Sequence, residues 1–404
     1  MKKIMSLILA VLCVTLAALP LSVSAEVAEN TKTVYADDIG VEQMISAYIA
    51  SNPTRENKLE KNGLLLKAAH SRPVGFWLTP DNYDIKNLTE DYTISVNMLS
   101  THYVGDDEAS QIVEPNSNNR TWVLFGTGSK SFVPNTGSGD EWKICSNMVA
   151  TTDPGLKVCY DENSGYYLAF DGVAKTNNPA SAAIAEAMIT GKSAVVYQFA
   201  FDATNKKMTS VTMSLENQTE TKITYDFDDV DVGDGNFGFG LREVYGNKKS
   251  RFTGIVSELS VKTETETKYS VDFAERYADI QNCRSTVIGG QLSDDNTTVR
   301  ILSAITMEDT ELANYASHGF EISLKDSVNG AQTRTSTKVY TSVSAAGDTV
   351  TAVDEKCDFI GAMTVTGLAA GESYTFVVRA FVTDAAGNKY MSAAEEITID
   401  VPES

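Results

Sequence analysis

The sequence GNFGFGLREVYGNKKSRFTGIVSELSV, residues 235–261, decides the fold. Apolar residues alternate with small or polar ones in its first part, at Phe237 and Phe239, and return around Val256 and Leu259. A period of two places alternate side chains on opposite faces of a strand. The stretch therefore predicts two strands of a β-sandwich and no reaction centre.

Strand patterns also precede this stretch. Tyr92, Ile94, Val96 and Met98 alternate with polar residues, which predicts a half-buried strand with one wet face. Further strands are predicted around residues 195–201, 211–215 and 223–227. One helix interrupts them, with Asn178 as its cap, Pro179 at its first position and Gly191 as its stop.

This meander and its two closing strands resemble the concanavalin-A-like lectin and glucanase domains, including the laminin-G-like ones, over residues 60–266. The resemblance implies a jelly-roll sandwich in an all-β protein. It also implies a role in holding sugars or matrix outside a cell.

The N-terminus has the pattern of a signal peptide. Lys2 and Lys3 precede an apolar run, and Val23-Ser24-Ala25 matches the small-x-small cleavage site of signal peptidase. Residues 1–25 are therefore expected to be removed and the protein to be secreted. Residues 26–59 are polar except for a stripe at helical spacing that predicts a short helix, at Val41, Met44, Ile45, Tyr48 and Ile49. No later apolar run is long enough to cross a membrane.

The composition limits the partners. The formal net charge is −21, and −23 once Lys2 and Lys3 leave, which opposes binding to nucleic acid and to anionic lipid. Neutral polysaccharide, cations and basic protein partners remain open.

Residues 267–404 are predicted to form a second domain. Leu368 stands six residues before Tyr374, within TGLAAGESYTFVVRA. This segment resembles the penultimate strand of fibronectin type III domains, and the whole tail resembles immunoglobulin-like modules of secreted Firmicute proteins. The resemblance implies a tyrosine corner, in which the Tyr374 hydroxyl meets backbone near Leu368, with Phe376 and Val378 in the core.

Four cysteines remain after the signal peptide. Cys145 and Cys159 are close in sequence and are separated by a turn-like segment, residues 151–155, whereas Cys283 and Cys357 lie near the end. Pairing within each region is the predicted disulfide arrangement, and free buried thiols are the alternative.

Enzymatic motifs are missing from the sequence. Glycoside hydrolysis needs two carboxylates across the scissile bond, and we find no E-x-D-x-x-E pattern on one strand. The histidines, His70, His102 and His318, have no nucleophile motif beside them. No catalytic residue is assigned, although carboxylates from separate strands would escape a linear search.

An acidic passage gives a candidate calcium site. Its ligands would be Asp226, Asp228, Asp229 and Asp231, with Asp234 nearby and with Gly233 and Gly235 allowing a tight turn. The alternative is a solvated acidic turn, since the spacing does not match the common calcium loop.

Sugar binding would use aromatic platforms beside hydrogen-bonding groups. The candidate ligand-binding residues are Trp122, Trp142, Arg120, Asn119, Tyr167 and His102. Core packing is the alternative for each tryptophan. The sequence thus predicts a secreted, non-catalytic protein that binds a carbohydrate or glycoconjugate; the alternatives are a glycoside hydrolase or polysaccharide lyase, and an adhesin or spacer that binds protein.

Overall fold

A computed structural model describes most of the chain from residue 31 onward. The described residues are 31–44, 56–69, 73–104, 120–130, 144–148, 156–161, 163, 165–170, 173–174, 178–244, 250–284, 286–296, 298–305, 311, 314–325, 334–336, 339–340, 343–345, 348–350 and 359–403. They form two compact units: the sandwich unit, Tyr35–Asn282, and the tail unit, which joins the chain up to Val34 with Cys283–Ser404. The predicted signal peptide lies outside the described residues.

The first sheet of the sandwich unit, sheet I, is antiparallel. Its spatial order is β11 (Val173–Ala174), β10 (Gly165–Phe170), β9 (Leu156–Asp161), β7 (Arg120–Lys130), β15 (Asn236–Val244), β5 (Pro73–Leu78) and β2 (Glu42–Gln43), and β8 (Cys145–Met148) also pairs with β7.

The second sheet, sheet II, is also antiparallel. Its order is β14 (Gln218–Asp231), β13 (Lys207–Leu215), β12 (Val195–Asp202), β6 (Tyr92–Val104), β16 (Ser250–Thr263), β4 (Gly63–Ala69) and β3 (Glu56–Glu60), and β17 (Thr267–Asp272) also pairs with β16.

The two sheets face each other across one aromatic core. Phe125 and Phe237 of sheet I each lie 4.9 Å, centroid to centroid, from Phe199 of sheet II, and Tyr197 lies 5.3 Å from Phe239. The stretch that decides the fold supplies one strand to each sheet, β15 and β16. The prediction of an all-β sandwich is confirmed.

The predicted helix is confirmed as α1 (Pro179–Thr190). The Asn178 side chain accepts hydrogen bonds from the first backbone N–H groups, and Gly191 ends the helix in the left-handed conformation, with φ of 66°. Ser100 Oγ donates to Met188 O at 2.8 Å, which fixes the helix against β6.

The sandwich unit extends beyond the expected boundary after residue 266. Strand β17 pairs with β16, and the following helix, α2 (Phe273–Ile280), begins at a fully buried phenylalanine that belongs to the sandwich core. Part of the predicted N-terminal helix is instead strand β2, whose Glu42 lies opposite Trp77. Residues 45–49 of that prediction lie outside the described residues.

The tail unit contains three antiparallel sheets within its described residues. The largest joins β1 (Thr33–Tyr35), β27 (Lys389–Met391), β26 (Ser373–Thr383), β20 (Ser317–Leu324), β21 (Arg334–Ser336) and β28 (Glu395–Asp400). The second joins β18 (Thr286–Leu292), β19 (Thr298–Ile305), β25 (Phe359–Thr366) and β22 (Val339–Tyr340), and the third joins β23 (Val343–Ala345) and β24 (Asp348–Val350).

The contact expected of a tyrosine corner is present. The backbone N–H of Ala369 donates to Tyr374 Oη at 3.0 Å, and Phe376 and Val378 are buried. The hydroxyl thus ties the start of β26 to the segment before it.

We expect Tyr374→Phe to destabilise the tail unit by about 1 kcal/mol, since it removes one hydrogen bond and leaves the ring in place. Amide hydrogen exchange should show faster exchange in residues 368–376. Tyr277→Phe in α2 serves as the control and should leave these rates unchanged; equal rates in both variants would contradict the role of the hydroxyl.

Among the described residues, we find no helix with the length and apolar composition that a bilayer crossing requires.

Candidate functional site

A groove of about 570 Å³ lies on the outer face of sheet II. Neighbouring strands supply its floor, with Thr93 and Ser95 from β6, Gln198 from β12, Thr209 from β13 and Lys262 from β16. Gln198 lies opposite Ser95 in the register, and Thr93 lies opposite Lys262. The groove therefore crosses the strands of the sheet.

The alternation of the strands explains why the floor is polar. In β6 the inward positions, such as Tyr92, Ile94 and Val96, belong to the core, and the residues between them face solvent. In β12 the same rule buries Phe199 and exposes Gln198. The groove is built from the wet face that the sequence predicts for residues 92–98, continued across adjacent strands.

A stacked aromatic pair belongs to the lining of the groove. Tyr92 and Phe201 are 4.6 Å apart, centroid to centroid, with an angle of 7° between their planes. Both residues line the groove, but they are almost completely buried. They support its floor and do not form an exposed platform.

Three carboxylates, Asp91, Asp202 and Glu264, line the same groove. Asp91 Oδ1 accepts from the backbone N–H of Ala203 at 3.0 Å. Asp202 accepts from the backbone N–H of Asn205 at 2.8 Å and from its side chain at 2.7 Å. These hydrogen bonds stabilise the turn that follows β12, at Ala203 and Asn205.

The bonds from Asn205 also keep Asp202 ionised. The hydrogen bond from the backbone N–H of Asn205, followed by that from its side chain, lowers the pKa of Asp202. A general acid for glycoside cleavage needs a carboxyl that stays protonated near neutral pH. Asp202 is therefore unsuited to that role.

The predicted aromatic platform at Trp122 is wrong. Trp122 is only 3% exposed, and the Arg242 guanidinium lies 5.1 Å from the centroid of its ring. Trp122 belongs to a small apolar cluster on the outer face of sheet I that includes Trp77, Ile144 and Cys145. Because this cluster covers the ring, no sugar can stack on Trp122 in this structure.

Of the other candidate ligand-binding residues, only His102 and Tyr167 have side chains among those described. His102 is fully buried, with Nε2 3.0 Å from Ser250 Oγ, so it does not line a groove. Tyr167 is half-buried on β10, opposite Cys159. Arg120 begins β7, but its side chain lies outside the described residues, as do Trp142 and Asn119.

The acidic passage is a strand as far as Asp231, and not a loop. Asp226 is exposed and lies opposite Ser210, whereas Asp231 lies opposite Lys207. Gly233 and Gly235 do form the turn that follows, with φ of 60° and 87°. The side chains of Asp228 and Asp229 are outside those described, and across the described residues no three His, Cys, Asp or Glu side chains converge as metal ligands.

The predicted Cys145–Cys159 disulfide is not formed, and both thiols are buried. Their strands do not form a hairpin, because β8 and β9 pair with different parts of β7. Cys145 lies opposite Lys130 and Val158 lies opposite Thr121, so the two cysteines are roughly 30 Å apart along β7. Cys357, the predicted partner of Cys283, lies outside the described residues.

Sequence reasoning did not find the groove residues Gln198, Thr209 and Lys262. Gln198 is the polar residue between two buried ones of an alternating strand, whereas Thr209 lies at a β-bulge that no local pattern indicates. What was missing was the strand order that places β13, β12, β6 and β16 side by side.

Comparisons with known proteins identify no family. No protein-family model and no curated protein matches the chain. The chain is similar at 9% identity to lectin I-B4 of Griffonia simplicifolia, over 55% of this chain and 91% of that one, with a TM-score of 0.24. It is also similar at 9% identity to the binding domain of Paraclostridial Mosquitocidal Protein 1, over 85% of this chain and 78% of that one, with a TM-score of 0.25. A third similarity, at 11% identity, is to the binding domain of botulinum neurotoxin serotype D, over 87% of this chain and 82% of that one, with a TM-score of 0.24. With scores this low, the all-β architecture rests on the strands of this chain.

Proposed function

We propose that this chain is a secreted, non-catalytic protein that binds a carbohydrate or glycoconjugate in the groove on sheet II. The observation that carries the proposal is the floor of that groove, where adjacent strands present neutral hydroxyl and amide groups at Thr93, Ser95, Gln198 and Thr209. Such groups both donate and accept hydrogen bonds. They match the hydroxyl groups of a sugar.

Charge favours a ligand that is not anionic. Three carboxylates and one lysine line the groove, and the whole chain is strongly acidic. A polymer of uronic acids or sulfated sugars would be repelled. A neutral glycan can form hydrogen bonds with the floor of the groove and is not repelled by the negative charge of the protein.

Hydrolysis or lyase chemistry is the alternative function. Asp91 and Asp202 lie in the groove, but both hold turns and Asp202 is kept ionised. The groove supports ligand binding over the alternative of a simple spacer, which needs no concave surface on its sheets.

The proposal is tested by binding the full secreted chain to a glycan array and to insoluble polysaccharides, with calcium or with a chelator. Released reducing sugar and unsaturated products are assayed in the same samples. We expect binding without release. Release would overturn the non-catalytic assignment, absence of any binding would overturn the glycan assignment, and loss of binding in chelator would support the calcium site at Asp226 to Asp231.

We expect Gln198→Ala with Thr93→Val to weaken glycan binding by about tenfold or more, because the pair removes an amide and a hydroxyl from the floor. Isothermal titration calorimetry would measure the change. Thr224→Val, on β14 outside the groove, is the control and should bind like the unmodified chain. Unchanged affinity in the double variant would place the ligand elsewhere.

A further inference from the structure

A carboxylate lies inside the sandwich unit near the end of β15. Phe237, Phe239 and Leu241 point into the core, and the same alternation turns Glu243 inward. Glu243 is 1% exposed. An ionised carboxylate in such a place is costly unless hydrogen bonds or an ion pair compensate it.

Glu243 has little compensation. Among the described residues, no group donates a hydrogen bond of good geometry to either carboxylate oxygen, although the Ser250 hydroxyl lies near enough to favour the ionised form. The nearby Ser250 hydroxyl is paired with His102 Nε2 at 3.0 Å, and Arg251 Nη1 donates to the backbone carbonyl of Ser250 at 2.9 Å. The neighbouring Arg242 points to the other face of sheet I, where it covers Trp122.

We propose that Glu243, Ser250 and His102, here called the Glu243 cluster, form a proton-controlled switch inside the sandwich unit. While the carboxyl holds its proton, the cluster carries no buried anion and the ends of β15 and β16 stay closed. Loss of the proton leaves a buried charge that its surroundings compensate only in part, and it opens these strand ends.

Burial and the neighbouring charges set the pH at which the carboxyl of Glu243 loses its proton. Burial is the largest influence and raises the pKa of Glu243 to about 7, against smaller lowering effects from the Ser250 hydroxyl and from the charges of Arg251 and Arg242. His102 lies in the cluster on β6. The charges that act on Glu243 belong to Arg251 of β16 and to Arg242, which lies on the opposite face of β15. The partner of Glu243 on β7 is Thr121, which is neutral.

The sign of the pH effect follows from this raised pKa. Between the ordinary glutamate pKa of 4.5 and about 7, the folded unit binds more protons than the unfolded chain. Stability contributed by the protonated carboxyl is complete below pH 4.5 and is lost as the pH rises through 7. The sandwich unit is therefore more stable in mild acid than above neutral pH.

The test is urea unfolding of the full chain at pH 5, 6, 7 and 8, followed by tryptophan fluorescence. All three tryptophans belong to the sandwich unit, so the signal reports on that unit alone. We expect its folding equilibrium constant to fall roughly a hundredfold from pH 5 to pH 8. Glu243→Gln should remove most of that dependence, while Glu258→Gln, an exposed carboxylate of β16, should keep it.

A His102→Gln variant and an NMR titration identify the group that titrates. A dependence that survives in Glu243→Gln but disappears in His102→Gln would overturn the proposal, because the imidazole would then be the titrating group. If Glu243→Gln does not fold, NMR titration of glutamate side-chain carbons in the unmodified chain replaces it. A carboxyl that titrates near pH 7 supports the switch, and titration of every glutamate below pH 5.5 overturns it.

Discussion

Gly240→Ala is expected to destabilise the sandwich unit by about 3 kcal/mol, although alanine usually costs less than glycine within a strand. Gly240 lies opposite Gly75 where β15 pairs with β5. A Cβ atom on Gly240 would lie 2.3 Å from the backbone oxygen of Val74 and 2.6 Å from Ile144 Cδ1. Backbone atoms cannot move aside as the end of a flexible side chain can, so the two strands would have to separate.

Urea unfolding followed by tryptophan fluorescence measures this loss, because all three tryptophans belong to the sandwich unit. Gly165→Ala is the matched control. A Cβ atom there would meet nothing within 4 Å, but Gly165 has φ of 73°, so only a conformational cost of about 1 kcal/mol is expected. If both variants lost the same stability, the close approach of β5 and β15 would not be the cause.

The strands and α1 could be predicted because their signals are local. Alternation in residues 235–261 reflects two strands that each bury one face, and Asn178, Pro179 and Gly191 act on the turn of helix next to them. The contact of Tyr374 with Ala369 spans only five residues. These features depend on neighbours in sequence, and the structure confirms them.

The site depended on distant partners and could not be predicted in the same way. Trp122 has polar neighbours in sequence, but Ile144 and Cys145, more than twenty residues later, lie in the cluster that buries it. Cys145 and Cys159 flank a turn-like segment, yet their strands pair with opposite parts of β7. Strand order decides both outcomes, and no local pattern encodes it.

The cluster that buries Trp122 also buries Cys145, which predicts an unreactive thiol there. The residue is 0% exposed, and its sulfur packs on Gly238, where an added Cβ atom would lie 2.7 Å from Sγ. Burial raises the pKa of the Cys145 thiol to about 12, despite hydrogen bonds from the Trp77 side chain and the Gly238 backbone that lower it. Since the thiolate is the reactive form, about one molecule in 10⁴ is reactive at pH 8.

We therefore expect alkylation of Cys145 to be about a thousandfold slower in the folded chain than in denaturant at pH 8. Peptide mass spectrometry after timed iodoacetamide labelling gives the rate at each cysteine, and the partly exposed Cys283 provides an internal comparison. Gly238→Ala should speed labelling of Cys145, because its Cβ atom would lie 2.3 Å from Ile144 Cγ2 and push the start of β8 off the sheet. Rapid labelling of Cys145 in the unmodified chain, or a peptide that links Cys145 to Cys159, would contradict the burial of this thiol against sheet I.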